Sequence, residues 1–104
     1  MHRTYIFLLA ALSIAVAPAS ALASDAAAGR ELALKWCSAC HLVAADQERA
    51  PLVAPPFATI GKTSGFDAKE LAKSMLAPHP QMPGRELSRD QASDIAAYIV
   101  SLAK

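Results

Sequence analysis

This chain of 104 residues holds only two cysteines, and they sit in one short segment, Cys37-Ser38-Ala39-Cys40-His41, with a histidine directly after the second. No other stretch restricts the possible folds so strongly. Cys37 and His41 are four residues apart, so on a helical turn they share one side, with Cys40 beside them. C-x-x-C-H at this spacing reads as a c-type haem attachment site: both thiols bond to the porphyrin vinyl groups and the imidazole binds iron from one face. The pattern also arises by chance, so the rest of the chain has to decide its meaning.

The amino terminus is separate from the rest in character. Met1-His2-Arg3 is short and basic, Tyr5 to Ala17 is uncharged and apolar, and Ala21-Leu22-Ala23 fits the small-residue rule for cleavage. Residues 1–23 are therefore expected to be a secretory signal peptide, and 24–104 the mature domain, exported to the periplasm. The apolar run falls short of the ~18 to 20 residues of a spanning helix, so no membrane insertion is expected after cleavage. Of the charged residues only Arg3 would leave, and residues 24–104 are formally neutral. With neither net positive charge nor a Lys/Arg run, nucleic acid is not an expected partner. So short a domain buries a thin core and needs a staple. A Cys-x-x-Cys disulfide would close too small a loop, whereas a covalently held haem would give short helices an apolar body to pack around.

Three helices are legible in residues 24–104. The first, Ala26 to Ala39, follows Asp25 as N-cap and delivers the motif at its end. Leu32 and Trp36 share a face with Gly29, where a glycine suggests close approach of another helix. From Leu42 to Gly61, Pro51, Pro55 and Pro56 point to a loop, with Asp46, Glu48 and Arg49 implying solvent. One use for such a loop is to offer a carbonyl to the metal-bound histidine; Pro55 is the candidate, simple stiffening of the loop the alternative. Phe57 and Ile60 would then pack on the ring. A second helix, Phe66 to Ala77, shows a capping-box-like pair, Asp67 and Glu70, a staple of Phe66 with Leu71, and Met75 as a core residue. The last helix begins with the capping box Ser88 and Gln91 and carries an apolar stripe, Ile95, Tyr98, Ile99 and Leu102. Tyr98 is the natural partner for Gly29.

Between the last two helices lies Pro78-His79-Pro80-Gln81-Met82-Pro83-Gly84. Its prolines restrict the backbone, so a side chain can be held against a metal at low entropic cost. Met82 has no helical face to fill and is the preferred second axial ligand, with His79 as competitor.

Together these residues resemble the class I c-type cytochromes, the small single-haem electron carriers. The resemblance runs from Gly29 through Cys37-x-x-Cys40-His41, Ala54-Pro55-Pro56-Phe57 and Met82-Pro83 to Ile95-x-x-Tyr98-Ile99. It implies an all-α fold of short helices around one covalently attached haem c. Cys37 and Cys40 would form the thioethers, His41 and Met82 would be the axial ligands, and the Pro55 carbonyl would accept from His41. In two places the chain departs from the pattern. Ala33 stands where an aromatic is often found, with Trp36 the lone Trp, and no Trp or Tyr occurs between Phe66 and Met82 to bond a propionate. Lys62, His79 and Arg85 are the remaining candidates for that contact.

The function implied is one-electron transfer between redox proteins met in transient contacts, by a monomer and without catalysis of bond chemistry. A haem sensor or peroxidase is the alternative, and it requires a labile Met82 bond. Trp36-Cys37-Ser38-Ala39-Cys40 also resembles the W-C-x-x-C of thioredoxin-like thiol enzymes, yet no strand leads into it. Zinc would want further ligands at suitable spacing.

Overall fold

The computed structural model describes residues 12–16, 24–49, 51, 53–77, 82 and 86–104. Four helices follow in order: α1 Ala26–Trp36, α2 Phe57–Gly61, α3 Ala68–Leu76 and α4 Arg89–Leu102. No strand occurs among the described residues, and none of their helices is long and apolar enough to cross a membrane. The fold is all-α.

Local chemistry explains where the helices start. Asp25 caps α1 by accepting from the Ala28 N–H at 3.1 Å. Asp67 caps α3 through the N–H groups of Lys69 and Glu70, and the expected reciprocal arm from Glu70 is not made. Instead its carboxylate takes the Lys73 ammonium at 2.8 Å, an exposed pair that raises the Lys73 pKa through hydrogen bonding and charge. Ser88 and Gln91 close a complete capping box on α4.

The elements differ from expectation in three places, the smallest being α3, which runs Ala68–Leu76 within the expected Phe66 to Ala77. α1 stops at Trp36, short of Ala39. The Ala33 carbonyl accepts from both Cys37 and Ser38, and the Ser38 hydroxyl bonds the Leu34 carbonyl at 2.6 Å, so the first residues of the motif themselves close the helix end. α2 was not legible: Pro55 and Pro56 read as loop, yet Pro56 opens a five-residue helix that buries Phe57. Five residues show no periodicity, and a proline ahead of a first turn costs no hydrogen bond.

α4 is the central strut, packed by α1, α2 and α3. Its stripe buries Ile95, Tyr98 and Ile99 against Ala33, Val43, Ala44 and Phe57, while Ala92 and Ala96 face Ala72 of α3. Gly29 does mark a close approach, but not primarily to Tyr98. A Cβ there would lie 1.9 Å from the Asp94 carbonyl oxygen and 2.9 Å from the Ile95 nitrogen, so backbone meets backbone. Tyr98 stands one turn later and donates its hydroxyl to the Val43 carbonyl at 2.5 Å.

Candidate functional site

After α1 the chain turns through the motif. Cys40 and His41 both direct their N–H groups to the Cys37 carbonyl, at 3.2 and 2.9 Å, which preserves the four-residue relation expected of a helical turn although the helix has ended. No disulfide joins Cys37 and Cys40.

Beyond His41 the backbone is bound to a distant segment. The Ala54 N–H donates to the Cys40 carbonyl at 3.1 Å and the Phe57 N–H to the Leu42 carbonyl at 2.9 Å. Between these two lies the histidine ring, with Nδ1 2.6 Å from the Pro55 carbonyl oxygen. A carbonyl can only accept, so Nδ1 carries the proton and Nε2 keeps its lone pair for a metal. Phe57 flanks the ring, centroid to centroid 5.1 Å, and itself stands 6.4 Å from Tyr98. Burial at the end of that aromatic row pushes the Tyr98 hydroxyl pKa up, against a smaller lowering by nearby Arg30.

Cys37, Cys40, His41, Pro55 and Met82 all border one cavity of about 450 Å³. Phe57, Ile60, Leu71, Ile95 and Ile99 are among the side chains that complete the wall. The size and character suit an apolar cofactor with a few convergent polar groups. A covalently attached haem needs two thiols, a metal-binding nitrogen and an apolar slot, and the residues present provide each of them. Zinc is less well served, since no group of three or more His, Cys, Asp or Glu side chains converges among the described residues.

Other expectations divide. Met82 reaches the cavity while 38% exposed. Met75 packs against the core as expected but also lines the cavity, a second thioether there. Trp36, half-buried, lines it too and carries the Lys35 ammonium 5.4 Å over its ring. Lys62 is exposed at the end of α2 and does not border the cavity. His79 and Arg85 lie outside the described residues.

One participant was invisible in the sequence. Gln47, within the polar run Asp46-Gln47-Glu48-Arg49, bonds three backbone groups of the segment around His41. Its only signal is an uncharged amide among charged neighbours, which is too weak to single out.

The sequence model of the cytochrome c family matches residues 26–103. The chain is also 47% identical over 91 residues to cytochrome c-552 of Bradyrhizobium diazoefficiens, an alignment covering 88% of each protein.

Proposed function

From the premise that this chain belongs to the cytochrome c family and is a monohaem electron carrier with covalently attached haem c, we propose how its own residues perform that role. Cys37 and Cys40 would attach the haem through thioethers, and His41 Nε2 and the Met82 sulfur would bind its iron. When bound, haem c supplies a one-electron iron couple. The bond from His41 Nδ1–H to the Pro55 carbonyl orients the imidazole and raises its basicity as a ligand. Met82 opposes this with a soft thioether that favours the reduced metal, so the two side chains pull the potential in opposite directions. Ligation by both His41 and Met82 would leave the iron no open position for bond chemistry. The apolar wall, Phe57 with Ile60, Ile95 and Ile99, excludes water and keeps the charge change in a low-dielectric setting.

The observation that carries this reading is the 2.6 Å contact between His41 Nδ1 and the Pro55 carbonyl beside a cavity that Cys37, Cys40 and Met82 also border. Redox partners would touch the exposed rim, where Cys40 and Met82 reach solvent, in small contacts burying under about 1,200 Å² in total. We further propose that residues 1–23 are an export signal leading to the periplasm. In support, Leu12, Ile14 and Val16 are each 78% or more exposed and join neither apolar cluster.

Visible spectra of both oxidation states test the ligand set. Met82→Ala should abolish the weak long-wavelength iron–sulfur charge-transfer band and admit cyanide rapidly. An unchanged spectrum would place the sixth ligand elsewhere.

A further inference from the structure

Gln47 is half-buried although its neighbours Asp46 and Glu48 are exposed. Its Oε1 accepts from the Val43 N–H at 2.9 Å, while Nε2 donates to the Ser38 carbonyl at 3.1 Å and the His41 carbonyl at 3.3 Å. Exchanging the amide oxygen and nitrogen would set an oxygen against two carbonyls and a nitrogen against an N–H, so the network admits one orientation. A single side chain therefore uses both its donors and its acceptor on the backbone that carries Cys40 and His41.

We infer that Gln47 is a positioning residue for His41: it fixes the histidine's peptide plane so that the ring keeps its Nδ1–H bond to the Pro55 carbonyl. This rests on the reading of His41 as an axial ligand. The His41 N–H is already held by the Cys37 carbonyl at 2.9 Å, and its ring by Pro55 at 2.6 Å. Gln47 holds the third group, the His41 carbonyl, and ties it to Ser38 on one side and Val43 on the other. Without that amide the peptide that follows His41 loses the tie on its carbonyl and can rotate, and the ring direction turns with it. A weaker Nδ1–H bond makes the imidazole a poorer donor, which favours the reduced metal.

The test uses the haem-loaded protein. Gln47→Met keeps side-chain length and removes all three bonds. At a fixed ambient potential the reduced-to-oxidised ratio should rise about threefold, equivalent to about 28 mV at 59 mV per tenfold for one electron. The His41 ring-proton resonances of the ferric protein should be displaced as well. A lowered thermal midpoint with ratio and resonances unmoved, as expected for the remote reference Gly65→Ala, would overturn the inference, because the amide would then be only structural. Should Gln47→Met not fold, Gln47→Glu retains the acceptor for Val43 and loses both donors; displaced His41 resonances support the proposal, and wild-type positions overturn it. A wild-type protein lacking paramagnetically shifted histidine resonances would overturn His41 ligation itself, and the inference with it.

Discussion

Gly29→Ala sets helix propensity against packing in a way the structure can weigh. The added methyl would sit 1.9 Å from the Asp94 carbonyl oxygen and 2.4 Å from its carbon. Both atoms belong to the α4 backbone, which cannot rotate aside as a side-chain tip would. Ordinary contact begins near 3.4 Å, so α1 and α4 must separate by about 1.5 Å at this point, on the distance scale of carbon contacts. That movement loosens the fit around Ala33, Ala92 and Ile95, all fully buried, at an overpacking cost of about 1–3 kcal/mol. It also strains the bond from the Asp25 N–H to the Asp94 carboxylate, 2.7 Å long and worth about 1 kcal/mol. Replacing a mid-helix Gly by Ala returns about 1 kcal/mol of propensity. The net expectation is a loss of about 1–3 kcal/mol. Urea unfolding of the haem-loaded protein, followed by far-ultraviolet circular dichroism, should show a midpoint lower by about 1 M for an m-value near 2 kcal/mol/M. An equal or higher midpoint would refute the reasoning, since propensity would then outweigh a backbone clash.

Three further outcomes follow from other contacts. Tyr98→Phe leaves the buried Val43 carbonyl without its hydroxyl donor and should cost about 1–3 kcal/mol in the same unfolding assay. Because burial raises the Tyr98 pKa, the folded state holds that proton more tightly than the unfolded one. The stability it brings is complete below about pH 10 and falls as pH climbs through the higher folded value. Thermal midpoints measured into the alkaline range should show this fall in the wild type and a shallower one in Tyr98→Phe; identical slopes would exclude Tyr98 as the source. Gly65 has φ +76° and open space around it, so Gly65→Ala should lose about 1–2 kcal/mol from backbone strain alone, and Gly65→Asn less.

What the residues disclosed in advance was whatever depends on near neighbours in sequence. Asp25 and Ser88 act as caps because a side chain three positions upstream suffices to reach the orphan N–H. The stripe Ile95, Tyr98, Ile99 marks the buried face of α4 for the same reason, one helix repeating every few residues. Cys37, Cys40 and His41 are adjacent enough in sequence for their shared place on the cavity to be expected, and Met82 borders the same cavity from a distant segment. Features that depend on distant chain were not readable in the same way. Gly29 promised a close neighbour but could not say that it would be the Asp94 backbone, sixty-five positions away. The Glu70 carboxylate had two local partners within reach and chose Lys73 over the helix start. Nor does a glutamine in a charged loop announce that it will bridge Ser38, His41 and Val43.

The rungs that join residues 40–42 to 54–57 also set where this chain can accept new material. The Cys40–Ala54 and Leu42–Phe57 bonds close the intervening stretch at its base, and Gln47 gathers in its first half. Glu48 and Arg49, both exposed, come after that last tie. A closed loop loses only about 0.6 kcal/mol for each doubling of its length. A peptide tag or a partner-recognition segment spliced between Glu48 and Arg49 would therefore hang from a base already fastened, leaving the histidine beneath it undisturbed.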